Sequence, residues 1–320
     1  AAVCLAQGAT PGNVNTIAEP ISGQVLTTGG GNINIRPEEA DTYTIGLVLQ
    51  PDFLPGFSAT IDYYNIKIED AISSPTPGDV IAACFGTDVF NPPAGASATE
   101  ACTTIGRDPI TGGLSADPRT STGLPAALSN SGSLETDGID LVMSYRSDLG
   151  TPFGDEVGNV GLALSFQGNY TFNSKFNAFV DSPVSINREC TGYVSANCGS
   201  LQPEYSWAQR TTLTFGDTDV SLLWRHISSF QQEPLDADPE TGSGPFFDGT
   251  IAPGVPGVGG RTENFGRIGS YNYFDLSFRF AVTDNFTFTT TVQNLFDKDP
   301  PLTGNNAGST TFNSGNTFTS

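Results

Sequence analysis

The sequence predicts an all-β fold, a transmembrane antiparallel β-barrel that is partial, with about eight strands. Three observations predict it: apolar and polar residues alternate along the strands, short and long connections follow one another in turn, and one face of the strands is polar. The chain contains 37 Gly, 22 Pro and 22 Phe but only one Met, which is typical of a β-rich and loop-rich protein.

The clearest strand covers residues 160–172 and contains no charged residue. Its apolar positions are Val160, Leu162, Leu164, Phe166, Tyr170 and Phe172. The positions between them are Gly161, Ala163, Ser165, Gln167, Asn169 and Thr171. Because successive side chains of a strand point to opposite faces, this pattern predicts one apolar and one polar face.

The same alternation predicts further strands over 42–50, 57–68, 139–146, 205–215, 219–229, 273–280 and 286–293. The alternation is less regular in 205–215 and 219–229 than in the others. Their apolar face is expected at Leu213, Phe215, Val220, Leu222 and Trp224.

The connections between the strands alternate in length. Short ones fall at 51–56, 148–158, 216–218 and 283–285, and long ones at 73–132, 177–202, 232–267 and 297–320. An outer-membrane barrel has this asymmetry, with tight periplasmic turns and long external loops, whereas a soluble all-β protein does not require it. A barrel closed by eight strands alone is the alternative architecture. The first long connection is expected to contain a short helix over 77–85, which has a Pro near its start.

Charge and the single histidine exclude several functions. With 13 Lys and Arg against 34 Asp and Glu the net charge is −21, so nucleic acid is not an expected partner. His226 is the only histidine, which leaves no zinc cluster, and no Gly-x-Ser-x-Gly motif is present. We therefore predict no enzymatic activity, no catalytic residues, no metal and no cofactor, and we interpret His226 as a polar residue at the outer end of its strand.

The five cysteines lack the Cys-x-x-Cys spacing of zinc sites or redox motifs. Cys84 and Cys102 lie in one loop-like stretch, and Cys190 and Cys198 lie in another. These two pairs predict two disulfides, which implies a location outside the cytoplasm. Cys4 is left unpaired, and the expectation is that its partner lies upstream of a fragment.

Several segments resemble the later part of the barrel of TonB-dependent outer-membrane receptors. They are 37–49, 57–72, the Thr-Asp-Gly-Ile-Asp of 136–140 and the Gln-Asn-Leu-Phe-Asp-Lys-Asp-Pro of 293–300. The resemblance implies that 1–320 is the C-terminal portion of a barrel domain of about 22 strands, without the plug domain and the last strand. It also implies the outer membrane of a Gram-negative bacterium, with membrane lipid, the receptor's own plug domain and TonB as partners.

The function implied by this resemblance is TonB-energised uptake of a scarce nutrient, such as a siderophore–iron complex, cobalamin or a glycan. The polar residues expected to face the barrel lumen are Asp140, Arg146, Gln167, Asn169, Arg210, Arg225, Asp275 and Arg279. The small-molecule ligand itself stays open. The alternative function is a structural or adhesive surface barrel without transport.

Overall fold

The computed structural model describes residues 1–17, 25–86, 88–115, 117–156, 158–182, 184, 187–194, 202–232, 248–250, 262–264, 267–283 and 285–300. Antiparallel β-structure dominates this part of the chain, as the sequence predicted. Among these residues, none of the helices has the length and apolar character needed to cross a membrane.

Eight strands form one continuous path of neighbours. They are β2 (Glu39–Leu49), β3 (Phe57–Ser73), β5 (Ser129–Asp148), β6 (Val160–Asn177), β9 (Tyr205–Phe215), β10 (Thr218–Ile227), β15 (Tyr271–Thr283) and β16 (Phe286–Val292). Their order in the sheet is β16-β15-β10-β9-β6-β5-β3-β2. All eight predicted strands are therefore confirmed, and β3, β5 and β6 extend well beyond their predicted ends. Within the described residues β2 and β16 are the two ends of the path, so the sheet is open, as expected of a partial barrel.

The strands are joined as four hairpins with short connections, and longer stretches of chain separate one hairpin from the next. Because the strands are antiparallel, the short connections all lie at one end of the sheet. We call the opposite end, from which the long connections leave, the long-loop end. The predicted alternation of connection lengths is confirmed.

The remaining elements lie mostly in the long connections. They are α1 (Ala2–Ala6), β1 (Thr27–Gly30), α2 (Pro77–Phe85), a 3-10 helix (Ala96–Ala98), α3 (Glu100–Thr103), β4 (Leu124–Ala127), β7 (Asn187–Glu189), β8 (Tyr193–Val194), β11 (Phe230–Gln232), β12 (Asp248–Thr250), β13 (Thr262–Asn264) and β14 (Arg267–Ile268). β7 pairs with β6, β1 pairs in parallel with β4, β14, β11 and β8 form a three-stranded sheet, and β12 pairs with β13.

The chain divides into two compact units. Unit 1 contains 1–42, 66–135 and 175–189, and unit 2 contains 43–65, 136–174 and 190–320. The apolar core of unit 1 consists of Val3, Val80, Cys84, Ala96, Cys102, Ile105 and Leu124. This core is formed by the helices of the first long connection together with α1 and β4, so the connection is a folded element of its own.

Helix α2 confirms the helix predicted over 77–85. The Thr76 hydroxyl accepts a hydrogen bond from the Asp79 backbone N–H (3.2 Å), and the Asp79 carboxylate accepts one from the Thr76 N–H (2.9 Å). This capping box, with Pro77 in the first turn, fixes the start of the helix. Asp79 is buried in unit 1 and forms an ion pair with the buried Arg188.

One of the two predicted disulfides is confirmed. Cys84 and Cys102 are bonded, with their Cα atoms 4.6 Å apart, and they join α2 to α3. Cys4 is a free cysteine, as expected. The predicted Cys190–Cys198 bridge lies outside the described residues, because Cys198 does.

Candidate functional site on the polar face of the sheet

The strand register of unit 2 aligns polar side chains from four neighbouring strands. Gln167 of β6 is opposite Ala208 of β9, which is opposite Arg225 of β10, which in turn is opposite Tyr273 of β15. Directly opposite residues of antiparallel strands share a face of the sheet. These residues therefore lie in one row on the face that we call the polar face.

Further residues extend the polar face toward the short connections. The next row contains Ser165, Arg210, Leu223 and Asp275. Beyond it, the Thr212 and Ser221 hydroxyl groups are 2.7 Å apart, and Asp219 lies opposite Arg279. The face assignments of Gln167, Arg210, Arg225, Asp275 and Arg279 therefore agree with the predicted alternation.

Two ion pairs lie on this face. The Arg225 guanidinium is 3.1 Å from the Asp275 carboxylate, and its central carbon lies 5.5 Å from the ring centroid of Tyr273. Asp275 is buried and also accepts a hydrogen bond from the Asn294 backbone N–H (2.8 Å). Arg279 pairs with Asp219 at 3.0 Å. Within each of these two pairs the carboxylate neutralises the charge of the guanidinium.

Asn169 connects β6 to two strands on its other side. Its amide donates hydrogen bonds to the Asp140 carboxylate of β5 (2.8 Å) and to the Tyr64 hydroxyl of β3 (3.1 Å). Its carbonyl oxygen accepts a hydrogen bond from the Thr171 hydroxyl (2.9 Å). Asn169 therefore holds Asp140 in a fixed orientation on the polar face.

An open cavity of about 840 Å³ lies on the polar face, entirely within unit 2. Four of the predicted lumen-facing residues line it: Asp140, Gln167, Asn169 and Arg225. Asp275 does not line the cavity itself, but it forms an ion pair with Arg225, which does. The cavity lies toward the long-loop end, since Arg225 and Tyr273 are close to the ends of β10 and β15 from which long connections leave.

The other three predicted residues lie outside the cavity. Arg210 is one row nearer the short connections. Arg279 lies close to the short-connection end of β15, and Arg146 lies close to the same end of its own strand, β5. The Arg146 backbone N–H donates to the Gly56 carbonyl (3.0 Å). The structure therefore divides the eight candidates into a group at the cavity and a group nearer the short connections.

Two further polar residues of the cavity matter for its chemistry and were not among the predicted candidates. Asp62 and Tyr273 both line the cavity, and both fall on the polar side of the alternation in their strands. The alternation in 273–280 already places Tyr273 on the same face as Asp275, but the sequence alone offered no reason to select it as a candidate.

The opposite face of the sheet carries a continuous row of aromatic rings in unit 2. The row consists of Tyr43, Tyr63, Phe172, Tyr170, Tyr205, His226, Trp207, Trp224, Phe274 and Phe296, and the ring centroids of successive members are 4.3–6.4 Å apart. We call these residues the aromatic row. Tyr and Trp at strand ends are typical of the interface between membrane and water.

His226 lies at the long-loop end of β10, where the sequence predicted it. Its ring stacks on Tyr205 and Trp207, with centroids 5.5 and 5.2 Å away, and its Nδ1 is 2.9 Å from the Asn272 amide oxygen. His226 is therefore a member of the aromatic side of the sheet, because it is adjacent to Arg225 and side chains alternate. In the described residues no group of three or more His, Cys, Asp or Glu side chains is arranged to hold a metal ion.

Comparisons with known proteins agree with this architecture. A family model described as TonB dependent receptor-like, beta-barrel matches residues 6–295. No relative was found among curated proteins.

The solved structures to which the chain is similar include three bacterial receptors. The FrpB iron transporter of Neisseria meningitidis is 14% identical, with a TM-score of 0.46 over 85% of this chain and 29% of that one. A mutant of the ferric enterobactin receptor PfeA of Pseudomonas aeruginosa, in complex with enterobactin, is 14% identical, with a TM-score of 0.47 over 90% of this chain and 30% of that one. The siderophore receptor PirA of Acinetobacter baumannii is 13% identical, with a TM-score of 0.45 over 87% and 30%. The chain spans less than a third of the length of each of them.

Proposed function

Since the chain belongs to the TonB-dependent receptor β-barrel family, we propose that it is part of an outer-membrane receptor that imports a scarce nutrient with energy delivered through TonB. Members of this family are outer-membrane proteins of Gram-negative bacteria and act as transport receptors rather than enzymes. On this proposal the chain forms part of the wall of the import path and does not catalyse a reaction.

The contrast between the two faces of unit 2 is the observation that carries the proposal. One face carries the aromatic row and the apolar positions of β6, and the other carries ion pairs, amides and hydroxyl groups. In lipid every backbone N–H and C=O must be paired, which a closed barrel achieves, and its outward face must be apolar. The aromatic face would then contact lipid and the polar face would line the lumen.

On this proposal all eight polar candidates contribute to the lumen wall. Residues 1–320 would supply the C-terminal portion of the barrel domain, and strands from elsewhere in the receptor would pair with β2 and β16. Unpaired strand edges in hydrocarbon are costly, at several kcal/mol for each unsatisfied backbone group. The receptor's own plug domain would occupy the lumen, and TonB would contact the plug.

The test is nutrient uptake in the bacterium that encodes the full-length receptor. Deleting the gene should abolish uptake of one labelled nutrient among chelated iron, cobalamin and oligosaccharides, and restoring it should recover that uptake. Uptake should also stop when a protonophore collapses the proton gradient of the inner membrane. If the deletion leaves all uptake unchanged but removes attachment to surfaces or cells, the receptor is an adhesive barrel instead.

A further inference from the structure

The cavity on the polar face has the size and position of a solute site. Its volume of about 840 Å³ lies within the range of small-molecule pockets, which is roughly 300–1,000 Å³. It also lies toward the long-loop end of the sheet, which is the external side if the chain is a receptor barrel. A solute arriving from outside would reach this level of the wall first.

Two hydrogen-bond donors in the cavity lack a partner among the described residues. Tyr273 is only 5% exposed, and its hydroxyl makes no hydrogen bond. The Nε–H of Arg225 is also buried and unbonded, although its Nη2 group pairs with Asp275. Buried polar groups in folded proteins are nearly always hydrogen-bonded, to protein, water or ligand. A solute in the cavity that offers an acceptor oxygen could satisfy these two adjacent donors.

Two carboxylates, Asp62 and Asp140, also line the cavity and offer acceptor oxygens. Asp140 accepts a hydrogen bond from the Asn169 amide. Within the described residues neither Asp140 nor Asp62 forms an ion pair. Arg225 is the one cation that lines the cavity in the described chain, and its charge is matched by Asp275. The lining is therefore net negative, and a polyanion would be repelled because low-dielectric walls strengthen charge interactions.

A solute must thus offer acceptors to Arg225 and Tyr273, offer donors to Asp62 and Asp140, and carry no strong negative charge. A hydroxyl group meets both demands, because it contributes one donor and two acceptor lone pairs. Gln167 adds a further amide that both donates and accepts.

From this pattern we infer that the cavity binds an uncharged, polyhydroxylated solute of the oligosaccharide type and discriminates against anionic ligands such as ferric catecholates. The inference rests on the proposed import function and deepens it by naming the class of solute. A neutral solute also fits the charge of the whole chain, which is −21.

The experiment measures binding to the purified full-length receptor in lipid nanodiscs. The probes are an array of neutral oligosaccharides, the corresponding uronate- and sialate-containing oligosaccharides, and ferric enterobactin. The expected result is binding of neutral members, with at least tenfold weaker binding of their acidic counterparts and of the ferric complex. Preference for an acidic probe, or binding of no oligosaccharide at all, would overturn the inference.

Two variants locate the site. Tyr273→Phe removes only the unbonded hydroxyl, and we expect at least a tenfold loss of affinity for the bound oligosaccharide. Tyr271→Phe is the matched control on the same strand, since its hydroxyl already donates to the Asp299 carbonyl (2.8 Å) and it does not line the cavity. Asp140→Asn should raise the affinity for acidic oligosaccharides relative to neutral ones. If both tyrosine variants lost the same affinity, the loss would come from a general change in structure, and the assignment of the site to the Tyr273 hydroxyl would be wrong.

This inference and the proposed function fail separately. A receptor that imports only an iron chelate in a TonB-dependent manner would refute the oligosaccharide site and leave the import function intact. A receptor that binds neutral oligosaccharides but transports none would keep the site and refute the import function.

Discussion

Trp207 and Trp224 meet edge to face on neighbouring strands, with their ring centroids 4.3 Å apart. They are the only two tryptophans of the chain, and both belong to the aromatic row. Edge-to-face pairs of aromatic rings are worth about 0.5–1.5 kcal/mol beyond the apolar area that they bury.

We expect this pair to be energetically coupled in the folded receptor. A double-mutant cycle with Trp207→Ala and Trp224→Ala, measured by reversible unfolding of the full-length receptor in lipid, should give a coupling of about 0.5–1.5 kcal/mol. The control cycle uses Leu162→Ala and Phe278→Ala, which share that face but lie on β6 and β15, three strands apart. In the control the two changes in the free energy of unfolding should simply add. A coupling of the same size in the control would show that the coupling does not come from the ring contact.

The two faces of β6 are predicted to respond differently to a new charge. Leu164 lies opposite Thr211 on the apolar face, whereas Gln167 lies opposite Ala208 on the polar face. Leu164→Arg should lower the free energy of unfolding in lipid by about 2–4 kcal/mol, because it places a cation in hydrocarbon. Gln167→Arg places its cation beside water and carboxylates and should cost far less. Equal losses in the two variants would contradict the assigned faces.

The fold of unit 2 was predictable because its signals are local. Alternation in β6 is regular enough to give both the strand and its faces. In β9 the alternation is weaker, since Gln209 and Thr211 stand on the apolar side. The structure explains how they are tolerated: the Gln209 amide donates to the Thr211 hydroxyl at 2.7 Å, so the two polar groups satisfy each other.

Other parts depend on contacts that are distant in sequence. The parallel pairing of β1 with β4 was not predicted, because the Thr-Thr-Gly-Gly of β1 has no alternation and its partner lies nearly a hundred residues away. The same limit applies to the site. Alternation identified Arg225 and Asp275 as polar-face residues, but their ion pair and the unbonded Tyr273 hydroxyl depend on the register between β10 and β15.

Glycine is required in one of the short connections. Gly56 has φ +81°, and a Cβ atom there would come within 2.2 Å of the Arg146 carbonyl oxygen. Gly216 also has a positive φ, +55°, but a Cβ atom there would meet nothing within 4 Å. Gly216→Ala should therefore cost only the left-handed backbone strain of about 1–2 kcal/mol, while Gly56→Ala should cost clearly more. Unfolding titrations of the two variants measure the difference, and similar losses would contradict the close approach.

The disulfide is predicted to act locally in unit 1. Cys84 and Cys102 are separated by 18 residues, and closing a loop of this size is worth about 3 kcal/mol in the chain-entropy model. The variant Cys84→Ser with Cys102→Ser should increase hydrogen exchange across 77–127 and leave β9 and β10 unchanged. Cys4→Ser is the control, because Cys4 is free and its replacement should change neither region. Increased exchange in β9 and β10 would show that the bridge supports the barrel wall itself.

The turn that begins at Asp108 is predicted to lose protection in acid. The Asp108 carboxylate accepts hydrogen bonds from the Thr111 N–H (2.8 Å), the Ile110 N–H (2.9 Å) and the Thr111 hydroxyl (3.2 Å). These bonds, the Thr111 N–H first, lower the pKa of this carboxyl below its usual value in a segment outside the membrane-spanning strands. Because the folded-state pKa is depressed, the stabilisation is present above the ordinary aspartate pKa of about 4 and is lost as the pH falls through the lower, folded-state value. Hydrogen exchange of residues 108–113, corrected for the intrinsic rate at each pH, should therefore rise only in strong acid. Asp108→Asn keeps an acceptor oxygen but does not titrate, so this rise should disappear in the variant, and its persistence there would assign the effect to another group.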